Sequence, residues 1–223
     1  MEKSIIRTVP HPTLRRLAQY HHRLKQLEAM GRTTVSCTIL ANDLQLASNQ
    51  IRKDLEATTL TGQPGVGFVL SDLIHSIETV LGWDNTTDAV LAGAGSLGTA
   101  LLGYERFNQI GLNIIAGFDI DSGKVGQKIH GKNILPLNKL TNLVQRMKIK
   151  IGILTVPAEV AQTVTNLMLA GGIRAIWNFA PIILETPADV VVENVSLASS
   201  YAVLSNRLTE ATKHQQFTGV TNP

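Results

Sequence analysis

Gly93-Ala94-Gly95-Ser96-Leu97-Gly98 has residue types and spacing suited to cradling a pyrophosphate. It follows the short apolar run Ala89-Val90-Leu91-Ala92 and opens a helical pattern over Leu97–Phe107. In that setting Gly93 allows the tight turn, Gly95 lets the backbone approach the phosphates, and Gly98 lets helix pack closely on strand. The helix start adds free N–H groups and the positive end of a dipole. Asp119 lies 21 residues after Gly98, at the end of the next apolar run. A carboxylate there accepts hydrogen bonds from the ribose hydroxyls of NAD and repels the extra phosphate of NADP. No arginine adjoins Asp119; Lys124 is the nearest cation, and Asp121 reads as a solvated turn residue. Thr155-Val156-Pro157 and Asn178-Phe179-Ala180-Pro181 close two further apolar runs. In an open α/β sheet such stretches line the nicotinamide end of the cleft; ordinary proline-terminated loops have the same composition.

Hydride transfer would need a general acid or base beside the nicotinamide. His130 and Tyr104 are the candidates, and neither has a supporting partner in sequence. The nucleotide fold consumes residues 88–195, which leaves no room for a substrate domain, so no enzyme is expected. An NAD-dependent oxidoreductase with a helical extension is the alternative, with a CoA-type ligase fragment behind it. Lys132 follows no phosphate loop, so there is no Walker motif. His21 and His22 diverge by about 100° on a helix and read as surface residues. A single cysteine, Cys37, gives neither an internal disulfide nor a multi-cysteine metal site. No metal is expected.

The elements that must position these groups change character near residue 68. Residues 1–68 hold nine Lys/Arg against five Asp/Glu, and the remainder eleven against twelve, so a basic segment precedes a near-neutral one. That is the pattern of a polyanion-binding module joined to something else. Leu14, Leu17, Leu24 and Leu27 place a helix over about 12–30, with Gly31 as its stop. A short helix should follow Ser36, with Ile39, Leu40 and Leu44 inward. A third should start at Ser48 as N-cap, burying Ile51 and Leu55 and exposing Asn49, Gln50, Arg52, Lys53 and Glu56. Residues 61–68, centred on Gly65, read as a tight turn between extended arms. Ser71 should cap a linker helix over 71–81. Beyond Asp88, strands near 89–92, 113–118, 133–135, 149–156, 173–179 and 190–195 alternate with helices. One of these, over 157–170, places Val160, Val164 and Leu167 at helical spacing. The fold class is α/β: an N-terminal winged helix-turn-helix, then a Rossmann-like doubly wound parallel sheet. The domains are 1–82 with the linker helix, 83–195 for the nucleotide fold, and 196–223, a last helix without a strand to fold back upon. No apolar run reaches the roughly 18–20 residues of a membrane span, and residues 1–12 carry no long apolar stretch. The expectation is a soluble cytoplasmic protein with no membrane partner.

The chain resembles Rex, the family of bacterial redox-sensing transcriptional repressors, along nearly its whole length. The resemblance is carried by Gln50-Ile51-Arg52-Lys53-Asp54-Leu55, Gly65-Val66-Gly67-Phe68, Gly93 through Ala100, Phe118-Asp119 and Lys124-Val125-Gly126. It continues through Leu154 to Ala158, Asn178 to Pro181 and Val192-Glu193-Asn194-Val195. It implies a homodimer in which the C-terminal helix swaps between subunits, with NADH releasing operator duplex DNA and NAD⁺ competing without the same release. It implies a recognition helix in the major groove, with Asn49, Gln50, Arg52 and Lys53 at bases or phosphates, and a wing at Gly65 in the minor groove. Arg16 matches a family arginine in the first helix, and Tyr104 a tyrosine of the sensing switch. NAD⁺ carries a charged ring and NADH a neutral one, so an apolar pocket separates them by desolvation cost. Three positions depart from the family pattern: Gln63-Pro64 replaces a basic wing residue, Ala57-Thr58 an aromatic pair, and Ser196 an aspartate.

Overall fold

Pro12 in the first turn and Gly31 at φ +79° just past the end frame the first helix, α1 (His11–Ala29). The computed structural model describes residues 9–218, with side chains through Lys213; the outermost parts of the expected domains, 1–8 and 219–223, lie outside it. The described chain falls into two compact units. One holds the residues up to Thr86 together with Arg106–Leu112; the other holds Thr87–Glu105 and the chain from Asn113 onward.

In the first unit α1 turns Leu17, Tyr20, His21, Leu24 and Leu27 inward along one face. His21, expected on the surface, is 7% exposed; its Nε2 is 2.8 Å from Glu78 Oε1 and its ring meets Trp83 edge-on. Strand β1 (Thr34–Val35) leads into α2 (Cys37–Leu44), where the Ser36 hydroxyl accepts from the Ile39 amide, as an N-cap should. Helix α3 (Ser48–Leu55) buries Ile51, Asp54 and Leu55. Ser48 is the first helical residue rather than the cap, and Ala47 occupies that position without a side-chain hydrogen bond. A 3₁₀ turn, Glu56–Thr58, follows, with the Thr58 hydroxyl donating to the Leu55 carbonyl. Strand β2 (Phe68–Val69) pairs antiparallel with β1 and runs straight into α4 (Leu70–Leu81). That pairing displaces the expected Ser71 cap. Val69 is held opposite Thr34, Leu70 donates to the Thr33 carbonyl, and the Ser71 hydroxyl turns to Asp72. Leu70, Leu73, Ile74 and Ile77 complete the core with the α1 stripe, Val35, Leu40, Ile51 and Leu55.

The second unit is a seven-stranded sheet. In chain order its elements are β3 (Thr87–Ala92), α5 (Ser96–Leu102), α6 (Arg106–Gln109, in the stretch grouped with the first unit), β4 (Leu112–Asp119), β5 (Lys128–Ile129), β6 (Lys132–Pro136), α7 (Leu140–Met147), β7 (Ile151–Leu154), α8 (Ala158–Gly171), β8 (Ala175–Asn178), β9 (Val191–Asn194) and α9 (Leu197–Thr218). The spatial order is β5-β6-β4-β3-β7-β8-β9. The pairs β4–β6, β3–β7, β7–β8 and β8–β9 are parallel, and β5 is antiparallel to β6. Without the β5 hairpin arm this is the doubly wound order, with its switch point between β3 and β7. Val90, Ala92, Phe118 and Leu154 on the strands pack with Leu140 and Val144 of α7 and Ala161, Val164 and Met168 of α8.

Three expectations are corrected in this unit. The helix after the glycine loop stops at Leu102 instead of reaching Phe107. At Gly103 any Cβ would come within 2.7 Å of the His130 ring, and Tyr104 stands in the turn beyond. Helix α8 buries Ala161, Val164, Thr165 and Met168 with Leu167 partly buried against the core, as expected for Val164 and Leu167, whereas Val160 in its first turn is exposed. Helix α7 and strand β5 had no counterpart in the sequence reading. Among the described residues no helix is long and apolar enough to cross a membrane, and no group of three His, Cys, Asp or Glu could hold a metal.

Candidate functional site

The glycine loop sits at the carboxyl end of β3, at the switch point, and its three glycines meet different surroundings. Gly93 has φ +100°, donates its amide to the Phe118 carbonyl at 2.8 Å, and would place a Cβ 2.7 Å from the Thr155 carbonyl oxygen. A Cβ on Gly98 would collide with the Gly93 carbonyl oxygen. Gly95 has φ −73° and nothing within 4 Å of a Cβ. Neither backbone conformation nor packing within this chain requires glycine there. Open space directly over a turn is what a pyrophosphate needs in order to approach the backbone, so the loop fits a dinucleotide.

Asp119, at the end of β4, is tied to this loop. Its Oδ2 accepts from the Ala94 amide at 2.8 Å and its Oδ1 from the Asp121 amide at 2.9 Å. A carboxylate has about four acceptor positions, so two remain for ribose hydroxyls. Thr155, at the end of β7, shares its hydroxyl between the carbonyl oxygens of Ala92 (3.0 Å) and Gly93 (2.8 Å), pinning the turn to the neighbouring strand. Ala94 is buried, while Ser96 and Leu97 are exposed at the start of α5. Val156 is half-buried and Pro157 is the N-cap of α8. Asn178, 1% exposed, commits its amide to the fold: it donates to the carbonyl of Ile182 and to Asn194 Oδ1, and accepts from the Ala180 amide. It braces the ends of β8 and β9. Phe179 beside it is half-buried against Trp177, and Tyr104 is 47% exposed in its turn.

In the first unit α3 exposes Asn49, Arg52 and Lys53. Gln50 is half-buried and donates to Asp54 Oδ1 at 3.1 Å. Gly65, φ +76°, lies at the tip of the hairpin closed by reciprocal backbone bonds between Gln63 and Gly67. Arg16 is held against α3. Its Nε and Nη2 grip the two oxygens of Asp54 at 2.6 and 2.7 Å, and Tyr20 (2.7 Å) and Thr13 (3.1 Å) donate to the same carboxylate. Burial pushes the Asp54 carboxyl up, but hydrogen bonds from Arg16, Tyr20 and Thr13 outweigh it and hold the group below its ordinary value. The bond to Asp54 raises the Arg16 guanidinium, and burial followed by the Asp54 bond raises the Tyr20 phenol. Sequence reasoning passed over Asp54. The signal was an acid at the buried phase of a basic helix, three residues from Ile51 and next to Leu55.

Residues 84–182 match the family described as a CoA binding domain, and residues 8–56 the family described as "Putative DNA-binding protein N-terminus". The chain is 42% identical to the redox-sensing transcriptional repressor Rex of Treponema denticola, over 86% of this chain and 92% of that one. It is 41% identical to Rex of Bacteroides fragilis, over 90% and 91%. A crystal structure of RSP in complex with β-NAD⁺ and operator DNA superposes with a TM-score of 0.85 at 34% identity, covering 96% of this chain and 99% of that chain. RSP in complex with β-NADH gives 0.84 at 33%, covering 96% and 100%. These relatives align across both units and are repressors, so the oxidoreductase alternative gives way. The chain belongs to the Rex family of redox-sensing transcriptional repressors.

Proposed function

We propose that the second unit binds NADH and NAD⁺, that the first binds operator duplex DNA, and that NADH releases the DNA. The protein transforms neither ligand. The observation that carries this reading is that one chain holds, in separate compact units, a helix exposing Asn49, Arg52 and Lys53 and a glycine loop tied to Asp119 with open space over Gly95. Gly93 through Gly98 and Asp119 hold the pyrophosphate and ribose. Thr155, Val156 and Pro157, with Phe179, line the nicotinamide end, Asn178 shapes it, and Tyr104 belongs to the sensing switch. Arg52 and Lys53 meet bases or phosphates with Asn49 and Gln50 beside them, Gly65 shapes the wing, and Arg16 acts through α3. The segments are 1–82 for DNA, 83–195 for the dinucleotide and 196–223 for a helix exchanged in a cytoplasmic homodimer. Helix α9 supports the exchange: Leu197, Tyr201, Leu204 and Leu208 recur at spacings of four and three, and each is at least 64% exposed. Such a stripe is the seam of a helix that packs on a partner.

The test is gel-shift titration of a palindromic operator selected from random duplexes. NADH should dissociate the complex, NAD⁺ should compete with NADH without equal release, and CoA should do neither. Retention of DNA at saturating NADH would refute the sensing role, and release by CoA alone would favour the ligase-type reading. Arg52→Ala should weaken operator binding by about 1–3 kcal/mol. Because Arg52 is exposed, its thermal midpoint and NADH affinity should match the wild type; an equal loss of NADH binding would sink the division of labour.

A further inference from the structure

We propose that Lys124 opens the dinucleotide site to a second ligand class, the 2′-phosphorylated dinucleotides NADP⁺ and NADPH, and sets how strongly they are disfavoured against NADH. This rests on the cofactor reading above. An isolated aspartate at the end of β4 would repel a 2′-phosphate, a group carrying about −1.5 to −2 charges near neutral pH. Asp119 is not isolated. Lys124 Nζ stands 3.6 Å from Asp119 Oδ2 and 3.5 Å from Asp121 Oδ2. Both separations exceed the about 2.7–2.9 Å of a charge-assisted hydrogen bond. The ammonium is therefore shared between two carboxylates and tightly bound to neither.

The backbone brings the cation to this place. The Lys124 and Val125 amides both donate to the Asp121 carbonyl at 3.0 Å, and the Gly123 amide donates to Asp121 Oδ1 at 2.8 Å. Asp119 is held by the Ala94 and Asp121 amides and is 11% exposed, whereas Asp121 is 51% exposed and Lys124 36%. A 2′-phosphate arriving at Asp119 thus meets a cation at the mouth of the site, and the three side chains carry −1 instead of the −2 of the carboxylates alone. Held at ion-pair distance instead of hydrogen-bond distance from both carboxylates, Nζ can turn to a phosphate oxygen without breaking a short bond. The Asp121 carboxylate it leaves is already half in water. The 2′-hydroxyl of NADH is neutral and donates to Asp119, so Lys124 acts on the ratio of the two affinities.

The experiment measures NADH and NADPH binding by nicotinamide fluorescence to the full chain and to K124M, K124R and D121N. Selectivity is the NADH affinity divided by the NADPH affinity. The wild type should bind NADPH more weakly than NADH but measurably. Selectivity should rise about tenfold in K124M, stay near the wild-type value in K124R, and fall in D121N, where one repelling charge is gone. A structural defect at Lys124 would weaken both ligands together and leave selectivity unchanged, which overturns the proposal. So does a wild type that takes no NADPH at 100 times the concentration saturating with NADH. If the wild type binds neither dinucleotide, the cofactor reading falls as well; normal NADH binding with selectivity indifferent to residue 124 sinks this inference alone.

Discussion

Replacing Asp54 with alanine should destabilise the DNA-binding unit by about 3–5 kcal/mol, the range for removing one partner of a buried ion pair. The carboxylate is 2% exposed and takes hydrogen bonds from Thr13, Arg16, Tyr20 and Gln50. Its loss leaves the Tyr20 hydroxyl orphaned at a fully buried position, a desolvation cost of about 1–3 kcal/mol by itself. The Arg16 side chain is 25% exposed and recovers some hydration, which places the expected loss toward the lower end. Against a typical total of about 5–15 kcal/mol, that loss removes a large share of the unit's stability and the tie that fixes α3 against α1. Operator binding should fall with it, although Asp54 itself is buried. Denaturant unfolding followed by a probe in the first unit checks the number. A midpoint within 0.5 kcal/mol of the wild type, on the scale of an ordinary surface substitution, would show the carboxylate to be dispensable. Arg16→Leu should cost less, because it keeps an apolar stem and leaves an acid that can protonate. The double variant should cost less than the two single losses added together.

The same carboxylate sets an acid limit. Its folded pKa lies below its unfolded value, so the contribution is complete above the unfolded carboxylate range, about pH 4. It is lost as the pH falls through the depressed folded value. Acid unfolding of the first unit should therefore shift to higher pH in Asp54→Ala, or vanish as a separate step.

What the sequence disclosed and what it hid divide along the range of the interactions. The glycine loop was legible because a turn, a helix start and an acid 21 residues on are local in their demands: a strand, a positive φ at Gly93 and a strand end at Asp119. Alternating apolar runs foretold the parallel sheet for the same reason. The clamp on Asp54 was hidden because Arg16 lies 38 residues away and reads, in isolation, as one more cation for DNA. Helix α5 ends at Leu102 with Gly103 as its C-cap; the stop was in the sequence, but the packing that leaves no room for a side chain there, the His130 ring from the β5–β6 turn, lies outside any window around Gly103. Ser48 and Ser71 had the composition of caps, but the cap position was taken in one case by Ala47 and in the other by a residue already held in a strand pair. Asn178 stood at the right strand end for a ligand contact. Its amide is nonetheless engaged by Asn194, Ile182 and Ala180, which shows that a residue beside a cleft can serve the cleft by holding its wall.

Gly95→Ala and Gly98→Ala should separate the ligand from the fold within one loop. At Gly98 a Cβ runs into the Gly93 carbonyl oxygen and lies 2.9 Å from Thr155 Oγ1. Backbone cannot move aside as a flexible side chain would, so the helix must lift from the sheet. Overpacking of this kind costs about 1–3 kcal/mol, and stability and NADH binding should fall together. At Gly95 the new methyl meets no protein atom within 4 Å. Glycine occupies an N-cap position there, where alanine is disfavoured by about 0.5–1 kcal/mol, so thermal stability should drop only slightly. The methyl nevertheless fills the space through which the pyrophosphate would reach the backbone. NADH binding should weaken about 100-fold, equivalent to about 2.7 kcal/mol, and the operator complex should persist at NADH concentrations that dissociate the wild type. Calorimetric melting and NADH titration of both variants decide the matter. Full NADH affinity in Gly95→Ala would mean that the open space over the turn is not where the phosphates sit, and the reading of this loop as a dinucleotide cradle would fail with it.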